Sequence, residues 1–170
     1  NTAVNDLVIE AEEAGSAREI PLQQIAARVK TIERLSDDVM QLHLQTPRTR
    51  RLRFLAGQYV TLQAGETAPV DYPVASCPCD DRNMQFRIQR MPDNPFADRV
   101  FLDLKGGDTV NVLGPRGEFV LREDSPHNLV FIAWDIGFAP IMSLIQHAMA
   151  LDVAESLHLY WLAPEGRGHY

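Results

Sequence analysis

Cysteine is scarce in this 170-residue chain, where Cys77 and Cys79 are the only two. Lying so close together, they supply no disulfide framework of the kind that staples small secreted domains. This usage fits a reducing cytosol, and a cytoplasmic location is expected. A C-x-C pair also falls short of a tetrahedral zinc or iron–sulfur site, which needs further ligands. His127, His147, His158 and His169 fall on separate segments without metal-ligand spacing, so no metal site is expected and the thiols read as structural or incidental. Basic residues are also in deficit: 16 Lys and Arg against 23 Asp and Glu leave a net charge of −7. That balance argues against a general nucleic-acid binder. No apolar run approaches the ~20 residues needed to cross a bilayer, and no signal peptide opens the chain. Internal repeats, low-complexity tracts, paired acid/base groups and nucleophile triads are all missing, and no catalytic residue is nominated.

What is present is enough apolar sequence, 45%, to bury one full domain and part of another. Residues 1–19 are acidic (Asp6, Glu10, Glu12, Glu13, Glu19) and read as a solvated linker. From there to residue 124 the grammar is that of strands. Gln24–Ile32 and Val39–Gln45 flank a Ser36-Asp37-Asp38 turn, and the second alternates apolar and polar residues, with His43 on its polar, solvent-facing side. Tyr59–Leu62, Tyr72–Ala75, Met84–Arg90 and Thr109–Leu113 continue the series. A short helix is predicted over Phe96–Leu104, capped by Asp93 or Asn94 with Pro95 in its first turn. About six strands with one capping helix suit an antiparallel Greek-key barrel.

Over 125–170 the pattern changes. Leu129–Ala133 and Leu157–Leu162 are continuous apolar runs, as expected of parallel strands buried on both faces. Between them lies a helix with Pro140 in its first turn and Ile141, Leu144, Ile145, Ala148 and Met149 on one face. Strand, helix, strand is one right-handed βαβ unit, the start of a dinucleotide-binding half, and alone it leaves apolar surface uncovered. With an unusual first residue, Asn1, and an end just past a strand, the chain reads as a portion of a longer polypeptide.

Four motifs in order carry a resemblance: Gly57-Gln58-Tyr59, then Asp71-Tyr72-Pro73-Val74-Ala75-Ser76, then Gly114-Pro115-Arg116-Gly117-Glu118-Phe119, then Gly137-Phe138-Ala139-Pro140. Over residues 20–170 the chain resembles the ferredoxin–NADP reductase-like flavoproteins, in particular the reductase components of multicomponent oxygenases. The resemblance implies a six-stranded FAD-binding barrel followed by the start of a Rossmann-like NAD(P)-binding domain. It implies electron transfer from NAD(P)H through FAD to an iron–sulfur centre in a ferredoxin domain or oxygenase component. Any [2Fe–2S] cluster would belong to a domain outside this segment, and the acidic stretch at 1–19 would then be the tail of a preceding ferredoxin domain. Arg48, Arg50, Arg51 and Arg53 form either a solvated loop or a patch that docks an acidic partner or a larger complex.

By position in these motifs, the cofactor-binding candidates are Tyr72, Pro73, Val74, Arg87, Ile88, Arg90, Phe96, Ala97, Trp134, Gly137, Ala139 and Pro140. Tyr72 matches the tyrosine that packs on the isoalloxazine or ribityl chain, and Arg87 or Arg90 stands in for a missing phosphate-binding arginine. The departures are specific. Val70 takes that arginine's place, Pro73 replaces a serine near the flavin N5, and Phe96 and Ala97 occupy the region of a G-x-x-S helix start. At the nicotinamide loop, Trp134 and Ile136 replace a glycine and a threonine. Trp134 either packs on the flavin or blocks nicotinamide entry, and one Cys77-Cys79 thiol either lies near the flavin or has no role there. Three functions follow: a working reductase, a reductase-like subunit that has lost its cofactors and serves as a structural or docking module, and, third, a flavin-bearing regulatory or sensor domain.

Overall fold

The computed structural model describes residues 20–123 and 127–165. The expected linker at 1–19, the expected boundary at 124/125 and the last residues, 166–170, lie outside them. Six strands form one antiparallel sheet in the order β4-β3-β6-β1-β2-β5, with β1 Gln23–Arg34, β2 Val39–Gln45, β3 Tyr59–Gln63, β4 Val70–Pro73, β5 Asn83–Gln89 and β6 Thr109–Arg116. The sheet curls into a near-barrel, and its open seam is bridged where the Ala75 N–H, just beyond β4, donates to the Gln85 carbonyl at 2.8 Å. Alternation decides which side chains point inward. Leu42 and Leu44 of β2, Met84, Phe86 and Ile88 of β5, and Val110 and Val112 of β6 are all fully buried in one core. Each such side chain contributes about 1.5–3 kcal/mol relative to exposure.

Helix α1, Pro95–Leu102, lids that core with Phe96, Ala97 and Val100. Asn94 is its cap: the side-chain carbonyl accepts from the Ala97 N–H at 3.0 Å. The helix starts one residue earlier and ends two earlier than the sequence pattern suggests, and β1 is longer at both ends.

The Gly-Gln-Tyr motif is a latch. Gly57 has φ +94°, and a Cβ there would lie 2.0 Å from the Phe119 carbonyl oxygen. The Gln58 side chain is buried; it accepts from the Leu55 N–H at 2.8 Å and donates to the Gly117 carbonyl at 3.1 Å. Its own carbonyl accepts from the Val74 N–H at 3.0 Å. One glutamine therefore ties the entry to β3, the strand end carrying Tyr72, and the turn after β6. Gly114 completes the junction, since a Cβ there would meet Val60 Cγ1 at 2.7 Å.

The second unit is a parallel pair, β7 Leu129–Trp134 and β8 Leu157–Leu162, joined through α2, Phe138–Leu151. Phe131 and Ala133 of β7 pack with Ile141 and Leu144 of α2 and with Ala56 of the barrel, so the helix lies between the pair and the barrel. The expectation that both strands are buried on two faces does not hold among the described residues. Val130, Ile132, Trp134, Tyr160 and Leu162 are exposed, because a single helix covers a single face. Met149 is exposed too, at the helix end beyond that contact. His43 departs in the other direction: it is half-buried, over the loop that follows β4.

Candidate functional site

Of the residues expected to meet a flavin, Tyr72, Phe96, Ala97 and Arg90 lie together at one edge of the barrel, around α1. Tyr72 is only 7% exposed, its ring tilted against Phe96 with centroids 5.5 Å apart. Its hydroxyl accepts a 2.8 Å hydrogen bond from Asn94 Nδ2. Burial pushes the Tyr72 pKa up, and the Asn94 contact opposes that rise. Asn94 thus caps the helix with its oxygen and holds Tyr72 with its nitrogen. The sequence names Asn94 only as a possible cap, because the reach from the helix start back to β4 is tertiary.

Arg90 follows β5 and lies beside α1: its Nε is 3.2 Å from Asp98 Oδ1, and its guanidinium sits 5.5 Å from the centre of the Phe101 ring. Arg87 goes elsewhere. It is buried, donates through Nη1 to Gln41 Oε1, and places Nη2 3.7 Å from Met142 Sδ of α2. The structure therefore separates two arginines that the sequence treats as equivalent: Arg90 borders the α1 start and Arg87 faces the second unit. Val74, Ile88 and Ala97 are fully buried, backbone included. The Val74 N–H goes to the Gln58 carbonyl, the Ala97 N–H to Asn94, and Ile88 pairs with Met40 in the sheet, while Pro73, half-buried, offers no N–H.

The nicotinamide-type loop is a single 3-10 turn, Asp135–Gly137, between β7 and α2. Asp135, at φ +47°, holds the backbone conformation that glycine adopts most readily, and its carbonyl accepts from Trp161 Nε1 at 3.1 Å. Phe138 stacks on Trp161 with centroids 3.9 Å apart. Gly137 has φ −59° and open space where a Cβ would go, Ala139 is buried, and Pro140 lies in the first helical turn. Trp134 is exposed on the uncovered face of the pair rather than in the barrel groove.

The diphosphate end of an FAD fits what is present. The Asn94 carboxamide and the Tyr72 hydroxyl meet at the helix start, Arg90 reaches the same first turn through its ion pair with Asp98, and helix starts favour anions. In the arginine cluster, Arg51 pairs with Asp81 at 3.2 Å, and Arg48, Arg50 and Arg53 are exposed. Away from this edge, Cys77, Cys79 and His147 lie together, a grouping that the spacing of His147 in the sequence does not reveal. No helix among the described residues is long and apolar enough to cross a membrane.

This architecture is that of a flavin-reductase barrel leading into a dinucleotide-binding fold. The profile of the family described as "Oxidoreductase FAD-binding domain" matches residues 26–121, and the chain belongs to that family, within the ferredoxin–NADP reductase-like flavoproteins. It is 29% identical over 143 residues to the CDP-6-deoxy-L-threo-D-glycero-4-hexulose-3-dehydrase reductase of Yersinia pestis, covering 84% of this chain and 43% of that protein. It is 27% identical over 156 residues to a reductase component of naphthalene 1,2-dioxygenase/salicylate 5-hydroxylase systems from Ralstonia sp., covering 92% and 47%. The crystal structure of the Amycolatopsis cytochrome P450 reductase GcoB superposes with a TM-score of 0.79 at 28% identity, over 88% of this chain and 46% of that one. The chain thus spans a little under half the length of these relatives.

Proposed function

We propose that this chain is the flavin-binding part of an electron-transfer reductase that takes electrons from NAD(P)H through FAD to an iron–sulfur centre or an oxygenase component. The observation that carries the reading is the meeting of Asn94 and Tyr72 at the first turn of α1, with Arg90 paired to Asp98 of that turn, inside the segment matched by the FAD-binding family. A bound FAD supplies the chemistry, accepting a hydride and releasing single electrons. The chain's own residues do the binding. Arg90 and the α1 start hold the diphosphate, Asn94 holds Tyr72 in place, and Tyr72 with the half-buried Pro73 borders the ring. Gly137, Ala139 and Pro140 shape the turn that a nicotinamide nucleotide approaches. Arg48, Arg50 and Arg53 are the surface offered to an acidic partner such as a ferredoxin domain, and a reducing cytoplasm is the setting.

The test is flavin uptake by the full chain. Added FAD should bind at one equivalent with quenched flavin fluorescence, and Arg90→Ala and Asn94→Ala should each weaken it about tenfold, the scale of one charge-assisted or neutral hydrogen bond. No uptake at all would defeat the reading. Turnover of NADH or NADPH with an artificial acceptor then tests the electron path.

One observation favours a second reading, a cofactor-free docking subunit. Tyr72 is covered by Phe96 and Asn94, beside a proline with no N–H and a valine where the family's arginine stands. Absence of both flavin uptake and turnover, together with stable capture of a ferredoxin or oxygenase partner, is what that reading expects.

A further inference from the structure

The loop after β4 and the helix α2 are pinned together without help from the flavin edge. Ser143, fully buried on α2, donates to the Ser76 carbonyl at 2.7 Å, and the Cys77 N–H donates to Gln146 Oε1 at 3.0 Å. Directly beside these contacts, His147 Nδ1 lies 3.6 Å from Cys77 Sγ and 3.7 Å from Cys79 Sγ. The far ring nitrogen, Nε2, is 3.0 Å from Glu123 Oε1. An ionised carboxylate only accepts, so Nε2 carries the hydrogen of that contact, and Nδ1 is the ring atom that faces the two sulfurs.

From these positions we infer that the reduced Cys77–Cys79 pair and His147 form a binding site for a thiophilic d10 cation, Zn²⁺, with Glu123 as the carboxylate that orients the histidine. Zinc takes thiolates at about 2.3 Å and imidazole at about 2.0 Å, so an S and an N sharing a tetrahedral zinc stand about 3.5 Å apart. Both observed S···N separations lie close to that edge length. The carboxylate–histidine–metal chain is the usual outer arrangement of such sites. Thiolate with imidazole selects zinc over magnesium or calcium.

The two sulfurs are joined as a disulfide in this structure. The metal-binding form arises when a thiol reductant delivers two electrons and two protons, breaking the S–S bond to give two thiols. Zinc binding then displaces the two thiol protons to solvent. Three protein ligands leave the fourth position to water, beside an open cavity of about 240 Å³ that Asp80, Asn83 and His43 also line. Because the cysteines belong to the barrel and the histidine to α2, the ion fastens one unit to the other.

The experiment is a metal titration of the full chain after phosphine reduction, with Co²⁺ as the spectroscopic probe and Zn²⁺ as competitor. The expected result is one equivalent of Co²⁺ giving thiolate charge-transfer absorption and tetrahedral visible bands, both abolished by Zn²⁺. Cys79→Ser and His147→Ala should abolish the bands, and Glu123→Gln should weaken affinity about 10–100-fold. Should those variants fold poorly, the parent chain still decides the matter: bound Zn²⁺ should slow alkylation of both thiols, read by mass spectrometry. Reduced thiols with no cobalt bands, bands unchanged in His147→Ala, thiols alkylated equally fast with and without Zn²⁺, or a disulfide that resists reduction would each overturn the site.

Discussion

The barrel strands alternate apolar with polar residues and the parallel pair is apolar at nearly every position, yet it is the barrel that buries its apolar side chains. In the barrel, curvature brings every inward side chain against another strand or against α1, and Phe86, Leu42 and Ile88 see no solvent. In the parallel pair, α2 covers one face, and Ile132 stays 69% and Trp134 62% exposed. Closure makes a sheet self-sufficient; an open parallel sheet depends on layers added to both sides. The contrast also sorts the two candidate cofactor regions. The flavin edge rests on a finished core, whereas the nicotinamide-type loop is held from one side, by Phe138 and Trp161.

The sharpest way to break that comparison is to cut into each unit. Phe86→Ala should destabilise the barrel by about 3–5 kcal/mol, the scale for emptying a fully buried aromatic site, and a lower urea midpoint would register it. Gly57→Ala follows at about 3 kcal/mol, since the latch has no room for a Cβ and φ is positive; the same unfolding curves measure it. Asn94→Ala should remove about 1 kcal/mol of helix capping. It should also bring the alkaline titration of Tyr72, followed by ultraviolet difference absorbance, to a different midpoint, because the Asn94 contact no longer opposes the rise caused by burial.

His43 supplies a pH test confined to the barrel. Burial first, and then the Lys30 charge, hold its pKa below the ordinary histidine range, against weaker opposition from Asp80 and Glu33. The folded protein binds this proton less readily than the unfolded chain. Stability is therefore full above about pH 6.5 and falls as the pH drops from there toward the folded pKa. Denaturant midpoints across that range should flatten in His43→Gln. The smallest effect belongs to the open sheet. Ile132→Ser should change stability by no more than about 0.5 kcal/mol while lowering the binding of a hydrophobic dye, the reverse of the Phe86 result. A large loss at Ile132 would mean that the two units do not differ as described.

Local pattern was sufficient for a good part of this molecule. Period-two alternation places most of the barrel strands, although β4 lies at Val70–Pro73 rather than Tyr72–Ala75. The change to continuous apolar runs marks the parallel pair, and Pro95 and Pro140 sit in first helical turns as their fixed φ requires. The ordered motifs identify the family, because turns such as the one at Gly57 tolerate few residues. What pattern does not contain is distance between segments far apart in the chain. That Arg87 turns to Met142 while Arg90 stays beside α1, that Asn94 reaches Tyr72, and that His147 meets Cys77 and Cys79 some 70 residues away all depend on how the barrel closes and where α2 docks. Two-faced burial fails on the parallel strands for the same reason. Hydrophobicity records what a strand can bury, and only the packing of other elements settles what is buried.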